Sequence, residues 1–177
     1  MKIVIACIAS ILLFSSMAQA ELTIRITKGV DNPTVISVVP FNYSGAAPLT
    51  ENVSDIVSND LRRSGQFSAI DPNNMLSFPS KPENVVFRDW RLVGSEYLVI
   101  GDMTSTESGY QLVFSLFDVV SQKILLSNQS VAAGTNGLRD IAHRVSDIVY
   151  EAITGIRGAF STDIIFVEHQ RSVNQYR

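Results

Sequence analysis

The sequence predicts an α/β domain, a mixed β-sheet with two longer helices packed on it. Three observations lead there. Short β-branched runs alternate with amphipathic stretches in the first half of the chain. Three strand-like runs then follow one another between residues 97 and 131. Two stretches, from about residue 51 and from residue 138, repeat their apolar residues with helical spacing. Composition agrees with a packed fold, because 46% hydrophobic and 18% charged residues rule out wholesale disorder. The 14 basic and 17 acidic side chains give a net charge of -3, which argues against a general nucleic-acid binder. Without residues 1–20 the chain is one domain's worth, enough to bury roughly 68–70% of its unfolded surface.

Residues 1–20 have the form of a secretory signal peptide. Met1-Lys2 is followed by an apolar run from Ile3 to Phe14 and by the small-x-small site Ala18-Gln19-Ala20. The apolar run is too short for a hydrocarbon layer of about 30 Å, so no membrane insertion is expected once the leader is removed. Cys7 is the only cysteine and lies in the leader, too early to look like a lipidation site. The remaining chain can form no disulfide and no thiolate site, and its core alone must hold the fold. The expected location is the periplasm.

Leu22-Thr23-Ile24-Arg25-Ile26-Thr27 alternates strictly, the pattern of a half-buried strand, and Lys28-Gly29-Val30-Asp31-Asn32-Pro33 ends it with turn formers. Val35 to Phe41 is nearly all apolar and predicts a central strand covered on both sides, with Pro40 at its end. Residues 42–50 are expected to be loop. Thr50 is placed as the cap of a helix from Glu51, with Val53, Ile56, Val57 and Leu61 as its apolar stripe and Gly65 as its left-handed stop. A short strand over 67–70, a loop over 71–81 and a short helix over 86–93 bearing Trp90 follow. Strands are expected over 97–103, 110–119 and 123–131. In the second of these Leu112, Phe114 and Leu116 share a face opposite Gln111 and Ser115. The last helix spans 138–154, with Leu138, Ile141, Val145, Ile148, Val149 and Ala152 on one stripe and Gly155 as its stop. Residues 162–168 are strand-like again.

Catalytic candidates are few. His143 lies off its helix's apolar stripe and is placed on a solvated face; His169 is placed in an exposed polar tail beside Glu168. No H-x-x-x-H spacing accompanies them, so neither a metal nor a cofactor is expected. Asp55, Asp60, Asp89, Asp102, Asp118, Asp140 and Asp147 are spread over different elements and are assigned to caps and surface charge. No nucleophile elbow or phosphate-binding glycine loop occurs, and Gly155-Ile156-Arg157-Gly158 lacks the strand-before, helix-after setting that phosphate binding needs. The Asn-x-Ser triplets at Asn42, Asn52 and Asn128 are common by chance. The terminal ribbon at 21–32 could pair with its own sheet or with another protein's edge strand. On pattern alone it is an ordinary first strand.

Four stretches, in order, resemble a known family: Glu21-Leu22-Thr23-Ile24-Arg25-Ile26-Thr27-Lys28-Gly29-Val30-Asp31, Val38-Val39-Pro40-Phe41, Asp60-Leu61-Arg62-Arg63-Ser64-Gly65-Gln66-Phe67 and Thr154-Gly155-Ile156-Arg157-Gly158-Ala159-Phe160-Ser161-Thr162. Together they are similar to the amino-terminal domain of the TolB family of the Tol-Pal system. The resemblance implies an α/β domain followed by a β-propeller. It also implies a mature amino-terminal segment that binds the carboxy-terminal domain of TolA, with Pal bound by the propeller. By position, the TolA-contacting residues would be Glu21 to Asn32. The interdomain junction would be Gly155, Ile156, Arg157, Gly158, Ala159 and Phe160, and residues 162–168 an orphan first strand of the propeller. No blade follows, so Pal binding is expected only if a propeller is present.

The expected division is a signal peptide at 1–20, a partner-binding strand and hinge at 21–33, the α/β domain at 34–155, and a linker with the truncated start of a propeller at 156–177. The implied function is a monomeric, non-enzymatic periplasmic adaptor for outer-membrane integrity and envelope constriction. The alternatives are an outer-membrane assembly or enzyme-activator module that binds a partner in a groove, and a hydrolase, which needs a pocket where carboxylates or histidines converge.

Overall fold

The computed structural model describes residues 32–162. The leader, the alternating run at 22–27 and the strand-like residues beyond Thr162 lie outside the described residues. The elements are β1 (Thr34–Val38), β2 (Asn42–Ser44), α1 (Val53–Arg63), β3 (Phe67–Ala69), α2 (Phe87–Leu92), β4 (Tyr97–Thr106), β5 (Gly109–Asp118), β6 (Lys123–Gly134) and α3 (Leu138–Thr154). Two single 3-10 turns, Pro72–Asn74 and Pro82–Asn84, interrupt the connection from β3 to α2.

The strands form one mixed sheet in the order β3-β1-β4-β5-β6. β3, β1 and β4 run parallel, and β4, β5 and β6 are antiparallel. The expected mixed sheet with two longer helices is therefore the observed fold. The expected loop from Asn42 is corrected at its start, because Asn42–Ser44 pairs in parallel with Asp102–Thr104 of β4. β1 and β2 thus lie end to end along one edge of β4, separated by Val39-Pro40-Phe41. Pro40 has no N–H to give the ladder, and the pairing breaks around it.

Alternation along β1 sends Ile36 and Val38 to one face of the sheet and Ser37 and Val39 to the other, all of them buried. β4 repeats the division, with Val99 and Met103 against Leu98 and Ile100. The first face is sealed by α1 and α3. Val53, Val57 and Leu61 of α1, and Leu138, Ile141, Val145 and Val149 of α3, meet Leu112, Phe114 and Leu116 of β5 there. The second face is sealed by α2 and its approaches, where Trp90 packs among Val39, Met75, Leu98, Ile100 and Phe117. Edge strand β6 is largely exposed, and it bulges at Asn128, whose φ of 49 lies in the left-handed region. The Asn128 amide that leaves the ladder donates to Ser115 Oγ at 3.0 Å.

α1 begins two residues later than expected. Its cap is Asn52 rather than Thr50, because Asn52 Oδ1 accepts from the Ser54 amide at 3.2 Å and from Ser54 Oγ at 2.7 Å. One of the Asn-x-Ser triplets is thus a helix cap. Gly65 and Gly155 end α1 and α3 in the left-handed conformation, with φ of 74 and 72, as expected.

Leu61 is fully buried under the helix pair, whereas Ile124 on β6 is half exposed. We expect Leu61→Ala to lower unfolding free energy by about 2–5 kcal/mol. Ile124→Ala should change it by no more than about 0.5 kcal/mol. Urea titration of both variants checks this; equal losses would contradict the assignment of the core.

Candidate functional site: the junction strap on the long helix

α3 is amphipathic, and the face away from the sheet holds the polar residues. Ser146, which is buried, and Asp147, which is half-buried, each lie about one turn before Tyr150, where residues three and four apart are neighbours. After Gly155 the chain does not leave the helix. Thr154 Oγ1 donates to the Tyr150 carbonyl at 2.7 Å and accepts the Ile156 amide at 3.1 Å, which turns the chain back. Residues 156–161 then run along α3. Asp147 Oδ1 accepts the Phe160 amide at 2.7 Å; Oδ2 accepts the Ser161 amide at 3.1 Å and the Ser161 hydroxyl as well.

Close packing accompanies these bonds. A Cβ on Gly158 would stand 2.5 Å from the Asp147 Cα, so only glycine fits there. The Phe160 ring meets Tyr150 edge-on at 5.7 Å between centroids, and Tyr150 meets Phe67 of β3 at 6.0 Å. Arg157 is exposed and Ile156 is 62% exposed, so the strap's outer side faces solvent. Open clefts flank it. One is walled by Ala132, Ala133 and Gly134 of β6 with His143 and Arg144, the other by Asp147, Ile148 and Glu151 of α3.

His143 corrects the sequence expectation. It is not on a solvated face: its Nδ1 lies 2.6 Å from Oδ2 of Asp60, which is buried on α1. A carboxylate only accepts, so Nδ1 carries the proton in this contact. Ser146 Oγ lies 3.0 Å from the same oxygen and 2.9 Å from the Ala142 carbonyl, two acceptors that share its one hydroxyl proton. Asp60 therefore bridges α1 to α3. This histidine, serine and aspartate do not form a nucleophilic relay, because both donors converge on the carboxylate and Ser146 is fully buried.

The other carboxylates stay dispersed. Asp55, Asp89 and Asp140 sit in the first turns of α1, α2 and α3, where a negative charge suits the helix dipole. Asp102 accepts from Asn42 Nδ2 at 2.8 Å. Hydrogen bonds from the Ser121 side chain and backbone hold the Asp118 carboxyl below the ordinary range. The nearby Tyr97 hydroxyl is raised, first by burial and then by the charges of Asp118 and Glu96. Among the described residues no three His, Cys, Asp or Glu side chains converge as metal ligands would. No helix among them is long and apolar enough to cross a membrane.

Of the proposed partner-binding residues, Glu21 to Asp31 lie outside the described residues, as does His169. Asn32 is exposed just ahead of β1. Of the residues expected at an interdomain junction, Gly155 ends α3 and Ile156 to Phe160 fall within the strap. The parts played by Asp147 and Asp60 carry no sequence signal, because neither belongs to a local motif with its partners.

Comparison with known proteins adds the family. The model of the TolB amino-terminal domain matches residues 22–125. The Tol-Pal system protein TolB of Marinomonas sp. is 47% identical over 157 residues, covering 88% of this chain and 36% of that protein. The Tol-Pal system protein TolB of Alcanivorax borkumensis is 44% identical over 179 residues, covering 100% of this chain and 40% of that protein. The chain thus spans 36–40% of the length of these curated relatives. The crystal structure of TolB from Acinetobacter baumannii superposes with a TM-score of 0.64 at 33% identity, over 76% of this chain and 32% of that one.

Removing the His143 ring would leave the buried Asp60 carboxylate with one donor. We expect His143→Ala to cost about 1–3 kcal/mol. Asp60→Asn in the same chain should recover part of that loss, because an amide tolerates burial better than an underpaired charge. A double-mutant cycle read by urea unfolding checks this, and simple additivity would remove the bridge.

Proposed function

The chain belongs to the family of TolB amino-terminal domains, and on that premise we propose that it is a non-enzymatic periplasmic adaptor of the Tol-Pal system. Its partner in this reading is the carboxy-terminal domain of TolA, captured by residues 21–32. Leu22, Ile24 and Ile26 would fill alternate pockets while backbone hydrogen bonds add the segment to a partner's sheet edge. The adaptor acts as a monomer, after removal of residues 1–20, in maintaining the outer membrane and in envelope constriction. Pal is a partner only where a propeller follows the domain, and no residue here is assigned to it.

The observation that supports this reading best is the pairing of β1. Thr34–Ile36 is covered by Phe67–Ala69 on one side, and Ile36–Val38 by Tyr97–Val99 on the other. The Thr34 amide is taken by the Gln66 carbonyl at 2.9 Å. Among the described residues β1 thus has a strand on each side, and in this reading the segment ahead of it is assigned to the partner. A switch between a docked and a free segment needs only a few kcal/mol between the two states.

Ile24→Asp or Ile26→Asp should reduce capture of the TolA carboxy-terminal domain to background. Stability of the body should shift by no more than about 0.5 kcal/mol. A binding titration with the purified chain, followed by thermal unfolding, measures both. Capture that survives deletion of residues 21–32 would instead favour a module that binds its partner in a groove of the α/β body.

A further inference from the structure

The strap raises a question that the adaptor reading leaves open: what fixes the path of the chain where it quits the domain. Its start is tied by Thr154, but Ile156 and Arg157 point into solvent and bury little. Its far end is held by one aromatic contact, Phe160 on Tyr150, and by a single carboxylate. Asp147 receives three donors from two successive residues: both amides of Phe160 and Ser161, and the Ser161 hydroxyl. Charge-assisted bonds of this kind are about twice as strong as neutral ones.

Among the described residues the Asp147 carboxylate makes no hydrogen bond within its own helix. α3 is anchored on the sheet by Ile141, Val145 and Val149, which lie on the opposite stripe, and the Asp147 carboxylate points at the strap. Gly158 has the complementary property. It lies against the Asp147 backbone with no room for a side chain, so the strap can approach close enough for the carboxylate to reach the next turn.

We propose that Asp147 is a positioning residue, a latch that makes residues 155–161 a rigid strap and so sets the direction in which the chain leaves the domain at Thr162. The latch acts on geometry rather than on overall stability, and it holds whichever partner the amino-terminal segment takes. Any body attached beyond Thr162 inherits the orientation of α3 through it. Loss of the carboxylate converts the strap into a tether.

Hydrogen exchange on the whole chain tests this. In Asp147→Ala the Phe160 and Ser161 amides should exchange faster by about tenfold or more, while those of Val145 and Val149 keep their wild-type rates. Trypsin should cut faster after Arg157. Gly158→Ala keeps the carboxylate but drives a Cβ into Asp147, and it should give the same pattern; this variant decides the matter if Asp147→Ala does not fold. Spin labels at Arg63→Cys and Thr162→Cys should give a narrow distance distribution with Asp147 present and a broad one with alanine. Unchanged exchange at Phe160 and Ser161 would overturn the latch. So would faster exchange spread evenly through α3, which would make Asp147 an ordinary stabiliser of the helix.

Discussion

Everything in this domain follows from the burial of β4 on both faces. Leu98 and Ile100 face one way, Val99 and Met103 the other, and none is more than 1% exposed. Fully burying side chains of this size gains about 1.5–3 kcal/mol each, against about 1 kcal/mol net for a typical hydrogen bond. A strand with that demand needs a layer on each side. α1 and α3 supply one layer with two apolar stripes. The described residues hold no third long helix for the other, so α2 and the irregular connection around it provide the cover. Trp90, 1% exposed, is the largest side chain of that layer and comes from a helix of 6 residues. The cost is visible in Trp90 Nε1 and Ser37 Oγ, which are buried without a hydrogen-bond partner among the described residues.

Apolar stripes hold two helices on a sheet but tolerate sliding. The polar contacts on α3 remove that freedom. Asp60 ties α1 to α3 through His143 and Ser146, and Asp147 ties the returning chain to the same helix one turn on. The Arg139–Glu51 pair, at 2.7 Å, joins the first turn of α3 to the residue just ahead of the α1 cap. Both of its side chains are partly exposed, so it contributes at most about 1 kcal/mol. The buried hydrogen bonds on Asp60 and the exposed Arg139–Glu51 pair therefore have different weight here. β1, paired on both sides, fixes where the chain enters this body.

Much of the architecture was legible in linear pattern. α3 was predicted with its observed bounds because its stripe, its glycine stop and its 17 residues are all local properties. Gly65 and Gly155 announced the helix ends for the same reason. The cap of α1 was misplaced because Thr50 and Asn52 are both good cap residues, and only the backbone angles of Asn52 select between them. β2 was missed because its three residues carry no strand pattern. Their pairing with Asp102–Thr104 depends on a segment 60 residues away. His143 was misread because helical periodicity separates a stripe from its opposite face, yet the flank of one helix can still lie against another.

By itself the sequence determined what depends on neighbours along the chain: the helical and strand periodicities, the glycine stops and the ordered motifs that mark the family. Only the tertiary structure decided the contacts that depend on neighbours in space. Asp60 meets His143 across 83 residues and Ser146 across 86, and Asp147 meets Phe160 across 13. Hydrogen bonds act over about 3 Å, so a carboxylate acquires its role only when the fold delivers a donor to that distance.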